Sequence, residues 1–394
     1  MNADDTVTAS RSGAPRRAEV VGAGIAGLAA GAALARQGWR VRIHERGSEL
    51  RELGAGISLR ENGLQALEAL GILKQAVDGG ERITAWDLRD ERLRVLSAGA
   101  LDEHNRFYCV TRPALHRALA DAAVAAGAQI LLGSTVIDAG RAGTIRLADG
   151  SEVDADLVVG ADGIGSTVRA AVAIPARVRD LQYLSYRTLL PRRPGDPAGT
   201  FPGYWSGTRR MAVAGCGPER VYAFLFCRPD DRAARDLPGA QREWSTAFPR
   251  LAEVVERIDF GEQWRAIHEV ACSRWSAGRV VLVGDAAHAM APTLGQAACI
   301  AMHCGVALAE SLAAGPDIES ALARWEAAQR PMVDTTQRYG RAYVRMMTRW
   351  PRRMLSLRSA MAWGLSHSEP VQRRLSGSAP PLAGAAQARP ASRR

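Results

Sequence analysis

Residues 18–46, AEVVGAGIAGLAAGAALARQGWRVRIHER, constrain the fold more than any other stretch. An apolar run ends at Gly22-Ala23-Gly24-Ile25-Ala26-Gly27. An alanine-rich segment follows, and a second apolar run ends at Glu45-Arg46. The pattern is strand, glycine turn, helix, strand. A crossover of this kind joins two parallel strands in a right-handed sense. Gly22 permits a tight turn, Gly24 lets a pyrophosphate approach the backbone, and Gly27 lets the helix lie close to the strand. The helix N-terminus at Ile25 and Ala26 offers N–H groups to an anion. Glu45, at the end of the second strand, is placed to accept hydrogen bonds from a ribose. Strand, glycines, helix, strand and acid together predict a dinucleotide site. The competing reading is a packing turn with a surface glutamate. Glu19 is unusual in a buried parallel strand and is expected at that strand's exposed start.

The rest of the chain reads as α/β interrupted by a different kind of segment. A helix is expected over 62–78, with Asn62 as its N-cap and Gly71 as a break. Residues 83–110 alternate like strands. Residues 112–127 predict a helix ending at Gly127, followed by a strand at 129–132. Thr144–Leu147, Asp149-Gly150 and Glu152–Asp154 predict a hairpin, and Leu157–Gly160 a buried strand. Residues 180–270 are rich in aromatics and contain period-2 stretches such as VYAFLF, which predicts a mostly antiparallel sheet. The α/β pattern returns at Val280 in RVVLVGDAAHAMAPTLGQ (279–296), and helices are expected from about 296 to 349.

The division expected is therefore a nucleotide-binding domain at 18–178 and 277–335, with 80–110 contributing to the substrate side. A second, substrate-binding domain is expected at 179–276 and basic C-terminal helices at 336–375. Disordered ends are expected at 1–17 and 376–394. The fold class is α/β, Rossmann-like, with an inserted antiparallel sheet and a helical tail.

The net charge of +10 suggests nucleic acid until its distribution is examined. Residues 336–394 hold 12 arginines and one acid, Glu369, so this tail carries +11 and the rest of the chain is left at −1. Lys74 is the only lysine, which points to coding bias rather than a nucleic-acid footprint. No run of 18 uncharged apolar residues is present, so no integral membrane span is expected. The first 17 residues begin with acids and lack an apolar core, unlike a signal peptide. Six cysteines without a C-x-x-C pair predict reduced thiols in a cytoplasmic protein and no metal site.

Four segments in order identify a family. They are Gly22–Gly27; Arg112 opening RPALHRAL; Gly160-Ala161-Asp162-Gly163 continuing to Ser166 and Arg169; and residues 279–296. Together they resemble the class A flavoprotein monooxygenases, the para-hydroxybenzoate hydroxylase family, over roughly residues 18–350. The resemblance implies non-covalent FAD reduced by NAD(P)H without a separate nicotinamide domain. It also implies transfer of one oxygen atom from O2, by way of a flavin C4a-hydroperoxide, to a small aromatic or natural-product substrate.

By match, Asp285 is expected at the ribityl chain or pyrophosphate and Pro292 beside the flavin ring. Gly295, Gln296 and Ala297 are expected at the ring's pyrimidine edge, where a helix N-terminus stabilises an anion. Arg112 is expected near the phosphates or ribityl chain. Gly54 to Ile57, including Gly56, is expected to pass close to the flavin. With Gly22, Gly24, Ile25, Ala26, Gly27, Glu45, Arg46 and Asp162, these are the cofactor-binding candidates. Asp162-Gly163 also reads as a plain turn, Arg112 as a cap or ion pair, and His288 as a structural histidine rather than a chemical one.

Class A chemistry needs no protein nucleophile. The substrate-side candidates are Tyr186, Arg187, Arg210, Tyr222 and His268, with Tyr204, Trp205 and Phe224 beside them. Arg187 or Arg210 is suited to a substrate carboxylate, and His268 to the role of a base.

Two departures from the family pattern matter. Ala297 stands where a glycine is expected, and His303-Cys304-Gly305 replaces Glu-Asp-Ala. They keep open a second reading, a flavoprotein of the same fold acting as a cyclase, desaturase or reductase. In the tail, Arg338, Arg341, Arg345, Arg349 and Arg352 form one helical stripe. It reads as a solvated face, or as a peripheral contact with an anionic membrane or a substrate-carrier protein. The assembly expected is a monomer or homodimer.

Overall fold

The computed structural model describes residues 14–51, 54–261, 264–315 and 317–368, together with Leu382. Its first layer is a six-stranded sheet. The spatial order is Ser276–Ala277, Val280–Leu282, Leu157–Gly160, Arg17–Val21, Arg40–Glu45 and Gln129–Leu132. Every pairing is parallel except that of the short outer strand Ser276–Ala277. The helix Ile25–Arg36 makes the crossover from Arg17–Val21 to Arg40–Glu45. Its small residues allow a very close approach, since a Cβ on Gly31 would lie 2.6 Å from Cδ1 of Ile43.

The strand Arg17–Val21 places residue 17 inside the sheet, and residues 14–16 are also described, so the expected disordered start cannot reach residue 17. Residues 1–13, and all of 376–394 except Leu382, lie outside the described residues. Glu19 is corrected as well. It lies mid-strand and is only 2% exposed. Arg42 and His44 on the neighbouring strand clasp its carboxylate, with His44 Nε2 at 2.7 Å and Arg42 Nη2 at 2.7 Å. A buried carboxylate is tolerable when it is paired and hydrogen-bonded in this way. Asn62 is not a cap either. The helix runs Glu61–Ala69 with Arg60 at its N-cap, and Gly71, at φ +75°, ends it before Leu73–Val77.

The second layer is a seven-stranded sheet in the order Arg265–Cys272, Ala176–Pro191, Arg220–Cys227, Arg209–Gly215, Thr200–Ser206, Ala85–Arg89 and Val95–Ala100. Its pairings are antiparallel except Thr200–Ser206 with Ala85–Arg89. The sheet therefore begins at Ala176, three residues before the expected boundary, and takes its last two strands from 85–100. Its central strands are buried on both faces. The inner face carries Tyr183, Trp205, Tyr222, Phe224 and Phe226. The outer face packs Tyr186, Met211, Val213 and Leu225 against Trp244 and Phe248.

A small sheet of Gly56–Arg60, Phe107–Thr111 and Glu81–Arg82 lies between the two layers. Two helices, Ala297–Ala313 and Ile318–Thr348, complete the body. The second contains Pro331 and continues unbroken past residue 335, so the expected boundary at 335/336 falls inside one helix. A last helix, Leu355–Ser366, lies on the strand Val95–Ala100. No helix among the described residues is long and apolar enough to cross a membrane.

Candidate functional site

The turns that carry the sequence motifs converge at the carboxyl ends of the parallel strands, where open α/β sheets bind ligands. Gly22 has φ +102°, and a Cβ there would lie 2.6 Å from the carbonyl oxygen of Ala161. The glycine turn therefore rests on the Ala161-Asp162 turn. Gly24 has nothing within 4 Å of where a Cβ would be. The helix Ile25–Arg36 begins there without a side-chain cap, leaving the first-turn N–H groups of Ile25 and Ala26 to a ligand. Glu45 is held by the turn it faces, accepting from Ala23 N at 3.0 Å and Gly47 N at 2.9 Å. Arg46 is exposed just beyond it. His116, unremarked in the sequence, lies 2.7 Å by Nε2 from the carbonyl of Ala23 and braces the same turn.

The later motif meets the first directly. A Cβ on Gly284 would lie 2.5 Å from Cβ of Ala26. Gly284 sits at φ +60° and starts the short helix Asp285–His288, with Asp285 exposed. Arg169 ties this turn to the Asp162 turn, donating to Ala286 O at 2.8 Å and Ile164 O at 2.7 Å. The Asp162 carboxylate is turned inward, accepting from Ser166 Oγ at 2.5 Å and Val168 N at 3.1 Å. The backbone of that turn, rather than its carboxylate, faces the glycine turn at Gly22. Arg112 crosses Gly54, where a Cβ would lie 2.5 Å from its Cδ. Gly56 abuts Tyr222, with its Cβ position 2.4 Å from the ring. Ile57 is buried beside it.

Pro292–Leu294 forms one helical turn and Gly295, at φ +65°, closes it. The helix Ala297–Ala313 then starts at Gln296 without a side-chain cap. Buried Gln296 Oε1 has no hydrogen-bond partner among the described residues. Ala297 is the helix's first residue and has no positive φ, so its methyl imposes no backbone strain. Cys299 packs against Gly63, and Gly305 packs against Ala30 of the nucleotide-binding helix. Cys304 is fully buried, and burial pushes its thiol up. The open space at Gly24, two uncapped helix starts and an acid at the second strand's end fit the pyrophosphate, adenosine and anionic ring of FAD.

The inner face of the seven-stranded sheet meets this half at Gly56 against Tyr222 and at Thr293 against Arg210. Arg187 is directly opposite Phe224 and Arg210 directly opposite Phe226 in register. Arg210 is 8% exposed. It donates from Nη1 to Thr293 O at 3.2 Å, with its guanidinium carbon 5.0 Å from the Tyr343 ring centre and 5.5 Å from that of Phe224. Among the described residues no carboxylate pairs with Arg187 or Arg210. Tyr183 Oη is buried and has no hydrogen-bond partner among the described residues. Burial raises the phenol pKa of Tyr183, Tyr222 and Tyr343, with Arg187 partly opposing this at Tyr222 and Arg210 at Tyr183 and Tyr343. All three are therefore neutral phenols rather than phenolate bases.

Two substrate-side candidates fall away. Tyr186 is on the outer face, and its hydroxyl donates to Asp259 O. Ile267 joins the inner cluster, so strand alternation turns His268 outward, in register with Asp180. Tyr204 also packs outward, while Trp205 packs inward. Three residues were missed. Thr293 supplies the carbonyl to Arg210, Tyr343 accepts from Trp205 Nε1 at 2.7 Å, and Arg60 lies over the Phe107 ring at 4.4 Å. Only Arg60, at a strand end beside the glycine segment, had any local signal. His288 is 2% exposed and packs on Trp275 with ring centres 5.1 Å apart; burial lowers its pKa to about 4, as suits a neutral structural residue.

A family model described as an FAD binding domain matches residues 17–335. A Rhodococcus erythropolis protein provisionally named 2-heptyl-3-hydroxy-4(1H)-quinolone synthase AqdB1 is 38% identical over 332 residues, covering 83% of this chain and 87% of that protein. The 2-heptyl-3-hydroxy-4(1H)-quinolone synthase of Mycobacteroides abscessus is 35% identical over 328 residues, covering 81% and 88%. A solved tetrameric form of 2-methyl-3-hydroxypyridine-5-carboxylic acid oxygenase superposes with a TM-score of 0.82 at 30% identity, covering 92% of this chain and 96% of that one.

Proposed function

The chain belongs to the class A flavoprotein monooxygenases, FAD-dependent oxidoreductases, and on that premise we propose that it hydroxylates a planar nitrogen-heteroaromatic ring of the alkylquinolone class. The observation that carries this reading is the inner face of the seven-stranded sheet. There, half-buried Arg187 and buried Arg210, which have no carboxylate partner among the described residues, flank an aromatic floor of Tyr222, Phe224 and Phe226. An unpaired buried guanidinium is costly unless a ligand supplies the anion. A flat ring with an enolic or oxo oxygen supplies both stacking area and partial negative charge. The quinolone named in the two relatives at 35% and 38% identity supports that choice.

In this reading the seven-stranded sheet is the substrate half and the six-stranded sheet the cofactor half. Gly22, Gly24, Ile25, Ala26 and Gly27 hold the pyrophosphate, and Glu45 the ribose with Arg46 at the rim. Arg112, the Asp162 turn and Asp285 hold the central part. Gly56, Ile57, Pro292, Gly295, Gln296 and Ala297 border the ring. Bound FAD, reduced by NAD(P)H, supplies the oxygen-activating chemistry. The chain's own residues orient and exclude. Arg210 and Arg187 fix the substrate oxygen, the aromatic floor fixes the ring plane, and Tyr183 and Tyr222 donate as neutral phenols. The helix N-terminus at Ala297 stabilises negative charge on the adjoining ring edge. Removing water from this face strengthens each of these interactions.

The alternative of a cyclase, desaturase or reductase loses its motive, since Ala297 is unstrained and Cys304 is a packing residue. The deciding experiment uses FAD-loaded protein, NADH or NADPH, isotopically labelled O2 and the relatives' quinolone lacking its 3-hydroxyl. Substrate-stimulated NAD(P)H oxidation with one labelled oxygen in the product is expected. Oxidation without label in the product would defeat the hydroxylase assignment.

The arginine stripe of the long helix is partly spent within the fold, because Arg341 pairs with Glu269 at 2.7 Å. The arginines that remain exposed bear on the question of an external partner.

A further inference from the structure

Exposed apolar side chains are concentrated at one corner of the protein. Of the thirteen large hydrophobic residues exposed among the described residues, seven lie on or beside the C-terminal helix Leu355–Ser366: Leu93, Val95, Met354, Leu357, Met361, Trp363 and Leu365. Leu93 and Val95 belong to the edge-strand region on which that helix lies. Met354, Leu357, Met361 and Leu365 are spaced by three, four and four residues, which puts them on one stripe. Leu357 is 54% exposed, and Trp363, on the opposite side of the helix, 51%. A stripe of this kind is not surface scatter, since it is contiguous along one element.

The helix is firmly seated, so its exposed stripe is not a sign of fraying. Arg358 on its inner side is fully buried. It donates to Gly207 O and to Glu91 Oε2 at 3.0 Å, and it stacks over Trp205 at 5.0 Å. Ser366 Oγ donates to Leu96 O at 2.6 Å. The segment leading into the helix is positive. Arg345, Arg349 and Arg353 are exposed, residues 335–368 contain no Asp or Glu, and the acids that approach from other elements, Asp230 and Asp231, lie beside Arg349.

We infer that the helix Leu355–Ser366, with the arginines that precede it, docks on an anionic lipid surface. Apolar side chains on one stripe and arginines without nearby acids in sequence are what an interfacial helix requires. A second copy of this chain fits less well. A symmetric contact through the same helix would bring the same arginines of both copies together. An acidic carrier protein satisfies the arginines but leaves the apolar stripe unexplained.

The test is co-sedimentation of the full-length, FAD-loaded protein with vesicles, read without turnover, so its outcome is separate from the substrate assignment. Mixed phosphatidylglycerol–phosphatidylcholine vesicles should retain the protein, and high salt should release it. Phosphatidylcholine alone should bind roughly 100-fold more weakly, since each of the three arginines near an anionic surface contributes about a fivefold gain. The double substitution Leu357→Ser with Met361→Ser should lower vesicle binding roughly tenfold while leaving flavin content and solution NAD(P)H oxidation unchanged. Absence of binding to the anionic vesicles overturns the inference, and that is the result an acidic carrier as true partner would give. Equal, salt-insensitive binding to phosphatidylcholine also overturns it. A fall in solution mass of the double variant relative to the parent would identify the stripe as a self-association surface and overturn it as well.

Discussion

Arg210 Nη1 donates to the carbonyl oxygen of Thr293 at 3.2 Å, joining the inner face of the seven-stranded sheet to the Pro292–Leu294 turn that precedes the cofactor-facing helix. The same guanidinium lies over Tyr343, whose hydroxyl accepts from Trp205, which in turn is covered by Arg358. One buried cation thus registers three elements against each other and, among the described residues, has no carboxylate partner. Arg210→Met should raise the KM for the heteroaromatic substrate by roughly 30-fold or more, as expected when one member of a buried charge interaction is truncated. Arg210→Lys keeps the charge without the forked donor geometry and should fall between. Flavin content should stay at the parent level in both, because Arg210 faces the substrate side. Steady-state NAD(P)H oxidation with visible flavin absorption checks this, and flavin loss in both variants would contradict the assignment.

Gly284 and Ala26 are the contact through which the two nucleotide motifs meet. Gly284→Val places a branched side chain at φ +60°, a region costing a non-glycine residue about 1–2 kcal/mol, and drives its Cβ to 2.5 Å from Cβ of Ala26. The glycine turn must then move. Purified Gly284→Val protein should come off the column pale, and titration with FAD should show weakened binding. Retention of normal flavin content would mean that the two motifs do not jointly form the cofactor site.

Glu45 tests the same site more gently. Its carboxylate is oriented by Ala23 N and Gly47 N, leaving capacity for a ribose. Glu45→Gln should weaken FAD binding by about 1–2 kcal/mol through loss of a charge-assisted acceptor, read as roughly a tenfold rise in Kd by fluorescence titration. Unfolding by urea should change far less than the FAD affinity.

What the sequence made legible was local. The glycine turn, its crossover helix and the Asp149-Gly150 hairpin are each set by neighbours within a few residues, and each formed where the pattern placed it. The faces of the central sheet were another matter. Tyr183 and Tyr186 are three residues apart and so must point to opposite sides, but both sides are buried, so no polar alternation marks which one meets the cofactor half. Tyr186 and His268 were misassigned for that reason. Glu19 was misread because its partners Arg42 and His44 are made neighbours only by strand register. Tyr343 reaches Trp205 from a helix 138 residues away, a contact no local pattern encodes.

Two buried histidines predict an acid limit to stability. Burial lowers the pKa of His288 and of His303 to about 4 each, from an ordinary value near 6.5. Between those values the unfolded chain binds protons that the folded chain does not, so stability is fully present above about pH 6.5. It falls as the pH is lowered toward about 4 and levels off below that as far as these two groups are concerned. Each contributes on the order of 3 kcal/mol across that window. His303 is fully buried, and neither ring nitrogen makes a well-formed hydrogen bond. His303→Leu should therefore hold its stability near neutrality, or gain about 1 kcal/mol there, and lose about half of the acid-dependent slope. Urea midpoints of the parent and the variant, measured at several pH values across the window, decide it. An unchanged slope in His303→Leu would mean that this histidine takes up its proton equally in the folded and unfolded chains.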